Sequence, residues 1–447
     1  LRDAARAYAN EVRAQHGVPF AVRIGLNSGE VVVGRIGDDL RMDYTAQGHT
    51  VGLAARMEQL AEAGRIYVSE HTARLVTGYF RLRDLGLLTV KGVTEPVRVR
   101  ELEGAGALRT RLDASRTRGF SRFVGRADEM ATLEAALERA VAGQGQVVGI
   151  VAEAGTGKSR LCFEFTERCR ARGISVYEAH AVAHGKAVPL LPVLEFWRRY
   201  FGITEQDGAQ TARDKIAGRM VLLDPQLADA LPLMFDYLGV PDPERPAPRV
   251  EPEARQRQLA DLMRRLGRAR SQREPAVLVF EDLHWLDAAS EQYVENLADA
   301  VPAARTLLLV NFRPEYHADW MQKSWYHQLP LLPLGSEAIE QLLLDLLGSE
   351  PSLGGLRALV RERTGGNPFF IEEVVQSLVD QGVLARAGAA PVLTRPVTEI
   401  QIPPTVQAVL AARIDRLGER EKRVLQTAAV VGKTFTESIL QRVLGAD

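Results

Sequence analysis

The chain has 447 residues, with 56 lysines and arginines against 57 aspartates and glutamates. That length predicts about three domains, and the even balance of charge excludes a global field for nucleic acid or for an acidic membrane surface. Hydrophobic residues make up 46%, no apolar run approaches the roughly 20 residues of a membrane span, and no signal peptide opens the chain, so a cytoplasmic protein with full cores is expected.

The first hundred residues alternate. Residues 3–15 predict a helix, stopped at His16-Gly17, and residues 19–24 a strand. Asn27-Ser28-Gly29 predicts a hairpin turn into residues 30–33. A second extended run, 41–46, leads into a helix over 50–63, and Ile66-Tyr67-Val68 is a further strand. Extended segments flank Lys91-Gly92 and close at residues 97–102. This pattern predicts an α/β sandwich with an antiparallel sheet.

The residues themselves add a resemblance. Ile24-Gly25-Leu26-Asn27-Ser28-Gly29-Glu30-Val31, then Asp43-Tyr44-Thr45-Ala46-Gln47-Gly48, then Val51-Gly52-Leu53-Ala54-Ala55-Arg56-Met57 resemble the second half of a class III nucleotide cyclase domain. Lys91-Gly92-Val93 with Pro96-Val97 is similar to its closing hairpin. The resemblance covers about residues 1–103 and implies a partial ferredoxin-like domain. It implies that Arg56 stabilises charge at the reacting phosphate, that Thr45 reads the purine edge and that Lys91 meets the polyphosphate. It also implies dimerisation through this domain in the intact parent. The family's ribose-orienting asparagine is Gly52 here, and the strand with its metal-binding carboxylates would precede Leu1. The chain therefore reads as part of a longer protein, inactive as a cyclase by itself. An inert cyclase-like module beside a nucleotide-gated switch is the alternative reading.

Residues 104–120 are glycine-rich and then arginine-rich, and read as a linker. Phe123-Val124-Gly125-Arg126 with Glu129 opens an amphipathic helix whose Met130, Leu133, Leu137 and Val141 share a face.

Residues 147–151 form a β-branched apolar run. They break into Ala152-Glu153-Ala154-Gly155-Thr156-Gly157-Lys158-Ser159, and a helical pattern follows with Leu161, Cys162, Phe165 and Cys169 on one face. Strand, small-residue loop and helix are the setting in which a Walker A motif acts: loop N–H groups wrap a phosphate, the helix N-terminus adds positive charge, the lysine reaches the β/γ-phosphates and the serine ligates Mg²⁺. Gly155, Thr156, Gly157, Lys158 and Ser159 are thus expected to bind ATP, with Ser159 on the metal. The motif's first glycine is Ala152, at the strand's end, where a methyl group fits. The two cysteines lie two turns apart on the same helix and predict reduced core thiols rather than a disulfide.

Residues 174–179, 276–280 and 306–312 are further apolar strands, and their separation by helical stretches predicts a parallel sheet buried on both faces. Residues 192–270 read as a mainly helical insertion, broken by prolines at 241–252, with Trp197 and Tyr200 in its core. Ala276-Val277-Leu278-Val279-Phe280-Glu281-Asp282 is the Walker B candidate: Glu281 and Asp282 are expected to divide metal binding and water activation, Asp282 being the candidate metal ligand, although the sequence does not decide which acid does which job. Asn311-Phe312-Arg313-Pro314 ends the next strand.

These residues resemble the STAND group of AAA-like P-loop ATPases. The resemblance implies that Arg126 lies near the nucleotide, that Arg313 senses the γ-phosphate, and that Pro368 of Gly366-Asn367-Pro368 brings a helical lid to the adenine. The expected domains are 1–103 cyclase half, 104–120 linker, 121–333 ATPase, 334–395 lid and 396–447 the start of a winged helix, with a protein partner engaged beyond that. No groove-reading basic helix is present to contact nucleic acid. As a whole the chain is similar to bacterial cyclase-domain proteins carrying this ATPase, and distantly to soluble adenylyl cyclases. This implies ATP and Mg²⁺ as cofactors and cyclic AMP as the parent's product.

Overall fold

The computed structural model describes residues 2–16, 18, 21–28, 32–36, 43–47, 49–89, 96–106, 108, 111–182, 189–204, 206–380, 382–387, 390–394 and 396. They fall into two compact units, Leu1–Phe120 and Ser121–Asp447. The winged-helix expectation lies outside the described residues, as does Lys91.

The first unit runs α1 (Arg2–His16), β1 (Ile24–Leu26), β2 (Val32–Ile36), β3 (Asp43–Gln47), α2 (His49–Leu60), β4 (Ile66–Ser69), α3 (Glu70–Val76), β5 (Phe80–Leu88), β6 (Val97–Ala105) and α4 (Arg111–Arg118). The main sheet has the order β1-β4-β6-β5. It is mixed rather than wholly antiparallel: β1 and β4 run parallel, because the chain between them passes through α2, while β4, β6 and β5 pair antiparallel.

The expected hairpin out of β1 is not formed by the described residues; β2 pairs with β3 instead. Asn27 is fastened elsewhere, its amide donating to the Thr50 carbonyl at 3.0 Å and its Oδ1 accepting from the Ser69 hydroxyl at 2.5 Å. Helix α2 lies directly on β1. A Cβ at Gly25 would come within 2.0 Å of the Glu58 nitrogen and 2.3 Å of the Ala54 oxygen, so only glycine fits there. Met57, Ala61, Tyr67 and Val99 fill the core beneath. The basic stretch read as part of the linker is helical, as α4.

The second unit contains α5 (Ala127–Val141), β7 (Gln146–Val151), α6 (Lys158–Ala171), β8 (Ser175–His180), α7 (Leu191–Tyr200), α8 (Ala209–Leu223), α9 (Leu231–Tyr237), α10 (Pro252–Arg273), β9 (Ala276–Glu281), α11 (Ala288–Ala300), β10 (Thr306–Phe312), β11 (Tyr326–Pro330), α12 (Ser336–Leu347), α13 (Gly354–Thr364), α14 (Pro368–Asp380), β12 (Leu384–Ala387) and β13 (Ala390–Leu393). Five strands make one all-parallel sheet in the order β11-β7-β10-β9-β8.

Successive strand residues point to opposite faces, so the unbroken apolar runs seal both. Val148, Ile150, Val277, Val279, Leu307 and Leu309 join the core under α5 and α6, which holds Cys162 and Cys169 as free, buried thiols. Val147, Leu278, Phe280, Leu308, Val310 and Phe312 join the other core, where α7 contributes Phe196, Trp197 and Tyr200, and α8, α9 and α10 contribute Ile216, Phe235 and Leu262. Helices α12, α13 and α14 close a third core of leucines and valines, with Val124 among them.

Candidate functional site

Parallel strands deliver their carboxyl ends to one edge of the sheet, and chemistry in such folds gathers there. Three of those ends bring the site together: β7 leads into the glycine-rich loop, β9 into Glu281 and Asp282, and β10 into Arg313. The Ala152 methyl is buried in the core, which accounts for alanine at the position the motif gives to glycine. Gly157 takes φ +103°, a left-handed conformation that leads into α6. The helix's first N–H groups have no intrahelical acceptor and face the loop, the usual electrostatic setting for an anion.

Lys158 is 7% exposed, and its ammonium donates to the carbonyls of Ala152 at 2.7 Å and Glu153 at 3.1 Å. These acceptors are the loop's own backbone, which keeps the lysine folded across the loop. Thr156 is buried and caps the Glu153 carbonyl through its hydroxyl at 3.0 Å. Arg126, also 7% exposed, reaches the loop through its guanidinium, which donates to the carbonyls of Thr156 at 3.0 Å and Leu332 at 2.8 Å and pairs with Glu129 at 2.9 Å.

The two acids are placed differently. Glu281 accepts from the Ser159 hydroxyl and from the Asn311 amide at 3.1 Å, and its other oxygen lies 3.5 Å from His180 Nδ1. Burial pushes its carboxyl above the ordinary range, opposed by His180, Ser159 and Asn311. Asp282 keeps 39% of its side chain open and lies in the field of Lys158, Arg313 and His180, which oppose the upward push of burial. Ser159 therefore meets Glu281, while Asp282 stands toward Lys158 and Arg313. Hydroxyl and carboxylate together are hard oxygen donors of the kind Mg²⁺ takes beside phosphate oxygens and water. Among the described residues no three His, Cys, Asp or Glu side chains converge as a preformed metal cluster.

Asn311, His180 and Asn367 are the residues that sequence reasoning missed. Asn311 is fully buried; its Oδ1 accepts from the Asp282 N–H at 2.8 Å while its amide serves Glu281 and the Cys162 sulfur. That bond holds Asp282 at φ +59°, a conformation non-glycine residues rarely adopt and one that stores strain at sites. The available signal was a single polar residue near the end of the apolar run 306–312. His180 stands opposite Glu281 in the β8–β9 register, which a linear reading does not reveal. Arg313 lies 5.5 Å over the Trp285 ring, with Glu315 at 3.9 Å.

The lid sits on the loop. The Asn367 amide donates to the Ala154 carbonyl at 3.0 Å and the Phe369 N–H to the Gly155 carbonyl at 3.3 Å. A Cβ at Gly155, itself at φ +79°, would lie 2.7 Å from Asn367 Oδ1. Pro368 is the nearest neighbour of Gly157, 3.8 Å from where its Cβ would be. Residues 121–126 thread between loop and lid. Arg160 of α6 donates to the Ser121 carbonyl at 2.9 Å, the Ser121 hydroxyl bonds Glu372 of α14, and the Arg122 N–H donates to Asp345 of α12 at 2.7 Å.

In the first unit, Arg56 lies on α2 and donates to Gln59 of its own helix at 2.7 Å. Gly52, one turn earlier, has open space where a side chain would stand. Thr45 is on β3 in register with Gly34.

Comparison with known proteins agrees with this division. Residues 4–102 match the adenylate and guanylate cyclase catalytic domain model, 122–310 the AAA ATPase domain model, and 335–387 a domain of unknown function. An uncharacterized protein of Rhizobium meliloti (strain 1021) is 29% identical over 409 residues, covering 89% of this chain and 38% of the relative. The soluble guanylate cyclase gcy-34 of Caenorhabditis elegans is 41% identical over 76 residues, 17% of this chain and 11% of that protein. The crystal structure of the adenylyl cyclase CyaB from P. aeruginosa matches with 34% identity over 24% of this chain and 56% of that one, at a TM-score of 0.23. The chain thus spans well under two thirds of the length of each of these relatives. One polypeptide thus joins a segment, 4–102, that is similar to adenylate and guanylate cyclase catalytic domains and a segment, 122–310, that is similar to AAA ATPase domains.

Proposed function

We propose that the chain is the ATP-responsive part of a cytoplasmic signalling protein, in which a STAND-like P-loop ATPase is coupled to a class III adenylate cyclase domain that makes cyclic AMP from ATP. The observation that carries this reading is the buried Lys158 ammonium at the start of α6, held against loop carbonyls within the field of Asp282. A phosphate at the loop would replace those carbonyls as the lysine's partner with a full negative charge.

Each side chain then has a task. The loop N–H groups and Lys158 bind phosphate, and Arg126 fixes the loop through Thr156. Ser159 and Glu281 hold Mg²⁺, and Asp282, the more open acid, orients water. Arg313 supplies positive charge opposite Asp282, and Asn367 with Pro368 ties the lid to whatever the loop binds. Bound MgATP supplies the phosphoryl group and the electrophilic metal. On the cyclase side, Arg56, Thr45 and Lys91 keep the roles that their resemblance implies, in a homodimer of the longer protein. The open space at Gly52 leaves room for a ribose but no hydrogen bond to it.

Cyclic AMP formed from MgATP by the longer protein, with and without Arg56→Ala, tests the reading. A fall of at least about a hundredfold is expected, the usual cost of removing one transition-state charge donor. Equal yields from both proteins, or no product from either, would overturn the cyclase assignment and leave the ATPase half standing.

A further inference from the structure

At the amino ends of the strands, away from the glycine-rich loop, lies a cavity of about 470 Å³ whose lining includes Tyr200, Phe201, Lys215, Arg219, Arg270 and Arg273. That volume is within the range of small-molecule sites and well below that of a macromolecular groove. The six-residue strands put about 20 Å of sheet between it and the loop. It sits where α10 ends against the starts of β8 and β10: Arg270 donates to the hydroxyl of Thr306, the first residue of β10, at 2.6 Å, and Ser175, the first residue of β8, donates to Glu274 at 3.1 Å.

Arg270 is the anomaly. It is 6% exposed, and its Nη1 has no hydrogen-bond partner. No ion pair within 4 Å joins it to a carboxylate among the described residues; Glu274, the carboxylate on the lining, accepts from the Ser175 hydroxyl and offsets the Arg270 charge only from beyond that distance. A buried guanidinium with one fork arm unused is costly, and arginine does not shed its proton to escape the cost, so its positive charge stands behind the cavity wall. The burial that would disfavour its charge is the largest influence on it.

The neighbours reinforce the sign. Arg219 lies 4.3 Å over the Tyr200 ring and donates to the Tyr177 hydroxyl at 2.6 Å, which leaves its charge on the lining uncancelled. Arg273 adds a third guanidinium, whereas Lys215 is neutralised by Asp207 at 2.7 Å. Phe201 and Leu222 supply apolar wall.

We propose that this cavity binds a small organic anion, a carboxylate or phosphate ester, whose oxyanion meets the exposed guanidiniums of Arg219 and Arg273 in the field of the buried Arg270, while its apolar body lies along Phe201 and Leu222. Bidentate oxyanion recognition is what exposed guanidiniums such as those of Arg219 and Arg273 provide, and the mixed lining selects an amphiphile over a bare ion. The ATPase would thereby carry a second ligand site, distinct from its nucleotide loop.

Isothermal titration of the full chain with benzoate and with phenyl phosphate, ADP and Mg²⁺ in excess to occupy the loop, tests this. At least one probe should bind, and Arg270→Gln should weaken it tenfold or more. Because Arg270 is buried, the surface variant Arg273→Glu, an exposed position on the lining, should weaken it severalfold with an unchanged melting curve. Benzoate alone binding assigns a carboxylate, and phenyl phosphate alone a phosphate ester. Failure of both probes with the wild-type chain, or binding unaltered in the surface variant, overturns the proposal.

Discussion

Replacing Asn311 by leucine keeps its branched outline, adds some bulk and removes its polarity. The Asp282 N–H would then lose its acceptor in a half-buried setting and Glu281 one of its donors in a buried one. Leaving such groups unsatisfied costs about 1–3 kcal/mol each, and Asp282 would be released from its left-handed backbone. We expect Asn311→Leu to lower the urea midpoint by a loss of that size and to slow ATP hydrolysis more than it weakens ATP binding. Unchanged hydrolysis would show that Asp282 needs no clamp. The acids were legible in the sequence because an apolar strand ending in two carboxylates is a local pattern. Their division of labour was not: whether Ser159 meets Glu281 or Asp282 depends on the register of three strands and on the turn after β9.

At the scale of elements, strand, loop and helix from β7 to α6 were legible for the same reason, as were the buried parallel strands. The mixed sheet of the first unit was not, because strand direction is fixed by which helix crosses over, not by the strand's own residues. Nor was the lid's seat on the loop, since Asn367 and Ala154 are 213 residues apart. That seat makes a testable pair. Gly155→Ala places a methyl in a left-handed residue, at a cost of about 1–2 kcal/mol, and drives it against Asn367. ATP affinity should fall tenfold or more, and Asn367→Ala, by clearing the space, should restore part of it in the double variant. If the two effects simply add, lid and loop do not touch as described.

At the scale of the whole molecule, two units built on different sheets share one chain, and the second unit begins with the strap of residues 121–126. Phe123 of that strap packs on the ATPase core and Val124 in the lid core, while Arg126 holds the glycine-rich loop. The strap is therefore fastened to both sides of the candidate nucleotide site and continues covalently into the first unit. All of this reading depends on a triphosphate lodging beside Lys158. Calorimetric titration of the full chain with ATP and Mg²⁺, set against Lys158→Ala, measures it directly. The account predicts one tight site per chain in the wild type and affinity reduced at least a hundredfold in the variant, with both proteins folded; equal binding by the two, or no heat from either, would contradict it.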